Sequence, residues 1–106
     1  MKRTPINNQS GRWFDEEKTE LFKEKTYHNG HNWISEATGE QFTHEALFIT
    51  KGGEYILNKY SDYQGSRESY EIISIKEAAE WFAKQSFDID EIPDALKDDV
   101  MGMEIE

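Results

Sequence analysis

FTHEALFITKGGEYILNKY, residues 42–60, carries the pattern of two β-strands joined by a tight turn. Lys51-Gly52-Gly53 separates two segments that are rich in aromatic and β-branched side chains. In the second segment Tyr55 and Leu57 alternate with Ile56, so a strand places them on opposite faces. We therefore predict an antiparallel hairpin, with strands over residues 42–50 and 54–60.

A further strand, residues 70–74, leads into a predicted helix over residues 75–85. Ser74-Ile75-Lys76-Glu77 has the spacing of a capping box, in which Ser and Glu side chains each accept from the other residue's backbone amide. An apolar stripe follows at helical spacing, with Trp81 at its edge; it consists of Ile75, Ala78, Ala79 and Phe82. Pro93 then precedes a second, short acidic helix over residues 94–100.

The N-terminal third adds an edge strand at Arg12-Trp13-Phe14 and a second hairpin. Asn29-Gly30 is a strong hairpin signal, because both central positions of a type I′ turn need positive φ. We predict that it joins strands over residues 25–28 and 31–34. Residues 15–25 fit either a strand or a helix, since Glu, Lys and Leu are good helix formers.

These elements predict an α+β fold: an antiparallel β meander of four to five strands, with a C-terminal helix packed on one face and a short acidic helix after it. We expect a flexible N-terminal arm (1–10), a single α+β domain (11–101) and a frayed acidic tail (102–106). No apolar run has the length of a signal peptide or a membrane span. We therefore expect a cytoplasmic protein that does not contact membranes.

Composition and charge narrow the function classes. The 106 residues contain no cysteine, which excludes disulfide scaffolds, zinc ribbons, iron–sulfur ligation and thiol catalysis. Three Trp, five Tyr and six Phe indicate a folded chain with a thin aromatic core. The net charge is −10, and residues 77–106 contribute −8 of it, from ten acidic and two basic side chains. This charge opposes direct binding of nucleic acid, although Lys51, Lys59 and Arg67 leave room for a local basic patch.

Two segments are candidate partner-binding surfaces. The first is acidic and has two interpretations, a solvated surface that keeps the chain soluble or a surface that docks on basic proteins with carboxylates in place of phosphates. The second is a loop with Tyr and Arg side chains, whose alternative role is to cover the sheet. The acidic candidates are Asp88, Asp90, Glu91, Asp94, Asp98 and Asp99, and the loop candidates are Tyr60, Tyr63, Gln64, Arg67 and Tyr70.

Catalytic and metal-binding patterns are weak. His28 and His31 flank a predicted turn and could share a metal with His44 or Glu45, and the three histidines are also candidate hydrolase residues. An exposed polar hairpin tip and a recognition loop are the alternatives. The sequence has no H-E-x-x-H motif, no nucleophile elbow, no Walker loop and no G-x-G-x-x-G motif. We therefore predict no enzymatic activity, no metal site and no cofactor.

Residues 45–82, EALFITKGGEYILNKYSDYQGSRESYEIISIKEAAEWF, resemble a group of small proteins from bacterial plasmids, integrative elements and phages. The shared features are a strand, a Lys-Gly turn, a return strand, a Gly-containing loop and I-x-S/L-x-x-E-A-x-x-W opening a helix. The resemblance implies a context, since mobile elements carry many small acidic proteins that block host nucleases and CRISPR complexes.

The predicted function is a non-enzymatic protein-binding module. We expect an inhibitor of the anti-CRISPR or anti-restriction type, whose nucleic-acid-mimicking acidic surface docks on a basic protein surface of a nuclease or CRISPR complex. The alternative is a structural or regulatory partner, antitoxin-like or an assembly protein, that binds through the Tyr60–Tyr70 loop and the sheet.

Overall fold

The computed structural model describes residues 1–106 as eight antiparallel β-strands in three sheets, with two α-helices at the C-terminus. The predicted α+β class is confirmed. The strands outnumber the four to five expected, because two short two-stranded ribbons form outside the main sheet. The elements are β1 (Arg3–Pro5), β2 (Trp13–Asp15), β3 (Glu20–Lys23), β4 (Thr26–His28), β5 (Trp33–Ser35), β6 (Thr43–Ile49), β7 (Tyr55–Ser61), β8 (Ser69–Ile73), α1 (Ile75–Ala83) and α2 (Asp94–Met101).

The main sheet has the order β3–β6–β7–β8, and the hairpin predicted from residues 42–60 lies at its centre. Leu47 pairs with Leu57, and Phe48 pairs with Ile56. Leu47 and Phe48 are both buried although they point to opposite faces. The sheet therefore has two apolar faces, and each needs a covering layer.

Helix α1 covers the first face. Its predicted capping box is present, with the Glu77 amide donating to Ser74 Oγ at 3.1 Å and the Ser74 amide to Glu77 Oε1 at 3.2 Å. Phe82 is fully buried and meets Phe22 of β3 edge-to-face, with ring centroids 5.1 Å apart. Helix α2 adds the fully buried Leu96 to the same core cluster.

The buried stripe of α1 is rotated from the predicted one. Ile75 is 57% exposed, whereas Trp81, predicted at the edge of the stripe, is only 3% exposed. The Trp81 indole donates to Glu45 Oε1 at 3.1 Å, and its ring packs against Phe82. Because a hydrogen-bonded indole ring removes more apolar area from water than an isoleucine at the helix start, this orientation is favoured.

The N-terminal residues cover the second face. Strands β1 and β2 form a ribbon, and the adjoining Ile6 and Phe14 are buried against Phe48 and Ile56. The rings of Phe14 and Phe48 meet edge-to-face with centroids 5.4 Å apart. The structure thus places residues 1–10 against the sheet, where polar composition predicted a flexible arm. The mostly polar composition of this segment does not reveal that one large apolar side chain, Ile6, is buried against the sheet.

Asn7 and Asn8 also satisfy the open edge of β8. The Asn7 amide donates to the Tyr70 carbonyl at 2.7 Å, and Asn7 Oδ1 accepts from the Tyr70 amide at 2.6 Å. The Asn8 side chain pairs with both backbone groups of Ile72. Asn8 Nδ2 donates to the Ile72 carbonyl at 2.9 Å, and Asn8 Oδ1 accepts from the Ile72 amide at 3.0 Å. Four backbone groups of an edge strand are therefore paired without another strand.

The second hairpin has a longer loop than predicted. Strands β4 and β5 pair His28 with Trp33, so four residues connect them instead of the two of a type I′ turn. Gly30 has a φ of +103°, but Asn29 does not have positive φ. Asn29 Oδ1 instead accepts from the backbone amides of His31 and Asn32, both at 2.9 Å, and this closes a wider loop.

Residues 15–25 and the C-terminal tail, residues 102–106, each differ from a single strand, helix or frayed end. Residues 15–25 begin with a short 3₁₀ helix, Glu16–Lys18, and continue as β3, so the strand interpretation applies only to their second half. In the tail predicted to fray, Met103 packs against the helical core while Ile105 is 96% exposed.

Asn8→Ala should lower the free energy of unfolding by about 1 kcal/mol, because two β8 backbone groups lose their partners. Urea unfolding measures this loss, and amide exchange at Ile72 should accelerate. Gln9→Ala, at an exposed neighbouring position, is the control and should change stability by less than about 0.5 kcal/mol. Equal effects of the two changes would show that the asparagine side chain does not stabilise the edge.

Candidate functional site

All six acidic candidates are exposed; they lie on α2, on the short 3₁₀ helix before it (Ile89–Glu91) and, for Asp88, at the N-cap of that 3₁₀ helix. Lys25 Nζ lies 2.8 Å from Glu91 Oε2, and this hydrogen bond lowers the pKa of Glu91. Lys97 Nζ lies 2.8 Å from Asp94 Oδ1 and lowers the pKa of Asp94 in the same way. The four carboxylates without an ion pair are Asp88, Asp90, Asp98 and Asp99.

Apolar side chains are exposed within this acidic surface. Ile89 lies between two of the carboxylates in sequence, and Met101 ends α2 with more than half of its surface exposed. Exposed apolar groups surrounded by charge are a common composition of protein-binding surfaces. The acidic surface, defined as residues 88–101, therefore combines unpaired carboxylates with two possible apolar contacts.

The loop candidates divide into two groups. Tyr60 and Tyr70 lie on β7 and β8 and are half-buried, and burial raises the pKa of both. Tyr70 packs beneath the N-terminal ribbon, with its ring centroid 5.7 Å from that of Phe14, and donates to Glu68 at 2.6 Å. Tyr70 thus packs on the apolar face under the ribbon, whereas the Tyr60 ring stacks on His44 and lines an open groove.

Tyr63, Gln64 and Arg67 are exposed in the β7–β8 loop. Tyr63 packs against Phe42, with ring centroids 5.2 Å apart, and both rings remain largely exposed. Arg67 lines an open polar groove of about 510 Å³ that also includes His44. The loop therefore contributes Tyr63 to an exposed aromatic pair and Arg67 to the groove.

His44 is held between two carboxylates. Nδ1 lies 2.7 Å from Glu24 Oε2, and Nε2 lies 2.8 Å from Asp62 Oδ2, while the ring stacks on Tyr60 at 5.3 Å. Partial burial lowers the pKa of His44, but the hydrogen bonds to Asp62 and Glu24 outweigh it, and the pKa is raised overall. Only the imidazolium form donates from both nitrogens, so the protonated ring fits this geometry best.

Glu24 is the centre of this network. Its side chain is 7% exposed, and Oε1 accepts from Ser35 Oγ and from the Glu45 amide, both at 2.7 Å. Together with His44, these bonds connect the end of β3 with β5 and β6. Nothing in the local sequence predicts the network, because its members are separated by about twenty residues and only the folded sheet brings them together.

The structure does not bring the three histidines into one site. His28 Nδ1 accepts from the Gly30 amide at 3.2 Å, and its ring packs edge-to-face on Trp33 in the exposed hairpin tip. His31 is exposed in the same loop. No three His, Asp or Glu side chains are arranged to hold a metal ion.

The three cations considered for a basic patch are also separated. Lys51 lies in the β6–β7 turn, whereas Lys59 and Arg67 line the polar groove near His44. Lys59 Nζ lies 3.9 Å from Glu71 Oε2. A single patch made of all three is therefore not formed.

The sequence matches no protein-family model, and no curated protein or solved structure was found to match it. Neither helix has the length and hydrophobicity needed to cross a bilayer. The function is therefore inferred from the surface and site geometry.

The His44 network predicts a pH-dependent stability. Folding raises the pKa of His44 above its usual 6.5, so the folded chain binds this proton more tightly than the unfolded chain. Its stabilisation is fully present below pH 6.5 and is lost as the pH rises through the folded pKa. Urea midpoints of the wild type should fall over this range, and those of His44→Gln should fall less. Parallel curves for the two proteins would exclude His44 as the source.

The two carboxylates of the network should differ in their contribution to stability. Glu24→Ala should lower the free energy of unfolding by about 3 kcal/mol, because it leaves a half-buried imidazolium and several donors unpaired. Asp62→Ala should lower it by less than about 1 kcal/mol, since Asp62 is 59% exposed and water can replace it. Equal losses in urea unfolding would mean that burial of Glu24 is not decisive.

Proposed function

We propose that this chain is a non-enzymatic protein-binding module that uses its acidic surface to dock on a basic surface of a partner protein. The observation that carries the proposal is the position of Asp98 and Asp99. Both lie in the last turn of α2, and that turn contains no basic residue. Carboxylates at a helix C-terminus are disfavoured by the helix dipole, at a cost of about 0.3–1 kcal/mol each.

This placement favours a binding role over simple solvation. Carboxylates would serve solubility equally well in the first turn of a helix, where the dipole stabilises them. Asp98 also lies one turn after Asp94, so the two like charges repel, and Lys97 pairs with Asp94 alone. Residues that break a stability rule without a compensating contact are typical of functional sites.

The exposed apolar side chains add a second argument. Long-range attraction by unpaired carboxylates speeds association with a basic partner, but a stable complex also needs desolvated contacts. Ile89 and Met101 are available for such contacts on the same surface. The acidic surface therefore has both the charge that attracts a partner and the apolar area that holds it.

The residues that could do chemistry support a non-enzymatic role. His44 has both ring nitrogens within hydrogen-bond distance of carboxylates, which leaves neither nitrogen free to exchange a proton with a substrate. His28 at the end of β4 and His31 in the following loop are exposed, and neither forms an ion pair with a carboxylate. The resemblance of residues 45–82 to proteins of mobile elements suggests the partner class, a host nuclease or CRISPR complex with a basic nucleic-acid groove.

The double charge reversal Asp98→Lys/Asp99→Lys tests the proposal. It should abolish capture of partners from bacterial lysate by the immobilised chain, while thermal stability stays equal or rises because the helix dipole is better complemented. Capture by the wild type should weaken steeply between 50 and 500 mM salt, and duplex DNA should compete with it.

The matched control is Glu20→Lys/Glu40→Lys, which changes the net charge equally at exposed positions outside the acidic surface. It should retain capture. If the reversed variant still captures the same proteins, or if duplex DNA does not compete, the acidic surface does not mimic nucleic acid.

A second candidate function uses the β7–β8 loop. The exposed Tyr63–Phe42 pair beside Arg67 has the composition of a binding hot spot and favours a structural or regulatory partner, antitoxin-like or an assembly protein. Tyr63→Ser should then abolish capture, with little dependence on salt. Capture that survives Tyr63→Ser and is lost in Asp98→Lys/Asp99→Lys would assign binding to the acidic surface alone.

A further inference from the structure

A groove of about 340 Å³ lies on the face of the sheet opposite the helices. It is bounded by β2 and the 3₁₀ helix after it on one side, and by the β6–β7 turn on the other. Phe14, Ile56 and Ile72 form its apolar floor and belong to the core cluster under the N-terminal ribbon. Its volume is within the range of small-molecule pockets, about 300–1,000 Å³.

The rim of this groove is cationic. Arg12, Lys18 and Lys51 line it, and none of the three forms an ion pair within the chain. Asp15 also lines the groove, but it is buried and its Oδ1 accepts from the amides of Lys2 and Glu17. Glu54 is the only exposed carboxylate on the rim. Three unpaired cations at one groove contrast with the −10 of the whole chain.

Trp13 provides a planar wall. Trp13 is 48% exposed, and the Arg3 guanidinium lies 5.7 Å from its ring centroid. Indole rings that are not needed for the core but remain partly exposed are suited to stacking on planar ligands. The groove thus offers an apolar floor, an aromatic wall and a positive rim.

We infer that this groove binds a small anion with a planar apolar body, which places its ring against Trp13 and the floor and its phosphate or carboxylate at the cationic rim. An apolar ligand without charge would leave the three cations unused, and a simple inorganic anion would not use the exposed Trp13 and the partly buried Ile72. The ligand that uses both features is therefore amphipathic. The site is separate from the acidic surface, because the sheet lies between them.

Anilinonaphthalene sulfonate is a direct probe, since it combines planar rings with one negative charge. It should bind the folded chain at a single saturable site, and NMR shifts should change at the Trp13 indole N–H and the Gly52 amide. N-phenyl-1-naphthylamine, which lacks the sulfonate, should bind at least tenfold more weakly. Equal binding of the neutral probe, or shifts elsewhere on the chain, would overturn the inference.

Charge-reversal variants test whether binding of the sulfonate needs the lysines at the rim of the groove. Lys18→Glu/Lys51→Glu should weaken binding of the sulfonate roughly tenfold. Lys23→Glu/Lys76→Glu changes two exposed and unpaired cations outside the groove and should leave binding unchanged. Thermal unfolding of both variants checks that the fold is retained. Equal weakening in both would indicate general electrostatic attraction and would contradict a specific site.

Competition distinguishes the two sources of charge. Adenosine monophosphate offers a planar ring with a phosphate, and 1-naphthoate offers one with a carboxylate. Displacement of the bound sulfonate by either supports the ligand class and identifies the preferred anion. Failure of both to displace it at millimolar concentration would exclude the proposed class.

Discussion

The hairpin of β6 and β7 buries apolar side chains on both faces, and the rest of the fold must cover those faces. Leu47 and Leu57 face the helices, whereas Phe48 and Ile56 face the N-terminal ribbon. A chain of 106 residues has few residues with which to cover two faces, so each covering layer depends on a few large aromatic side chains. This constraint draws the N-terminal segment into the structure, although its composition is mostly polar.

The predictable parts of the fold are those in which local pattern and tertiary packing agree. The Lys51-Gly52-Gly53 turn between alternating segments and the Ser74–Glu77 capping box both specify short-range geometry, and the structure has both. The errors arise where packing selects among locally similar choices. Whether Ile75 or Trp81 faces the core depends on the position of Glu45 on β6, which the helix sequence does not reveal.

The candidate sites likewise include features that local sequence predicts and features that only tertiary packing determines. The exposure of the six carboxylates within residues 88–99 followed from their charge, because so many carboxylates in a short segment cannot be buried. The separation of Tyr63 from Tyr60 and Tyr70 depended instead on where the strands end, because the latter two lie within β7 and β8 and Tyr63 lies in the loop between them. The Glu24–His44–Asp62 network was missed because its members come from three different segments. The cationic groove was missed because Lys51 was grouped with Lys59 and Arg67, which lie near the other end of the hairpin.

The two covering layers also explain the distribution of charge. The sheet and its loops, residues 19–76, hold nine acidic and six basic side chains, whereas the two covering layers differ in sign. Residues 1–18 hold four basic and three acidic side chains. Residues 77–106 hold two basic and ten acidic side chains. Because the layers lie on opposite faces, the acidic and cationic surfaces do not neutralise each other. This segregation, together with unpaired carboxylates at the end of α2 that the helix dipole disfavours, is the basis on which we propose a binding role for the acidic surface.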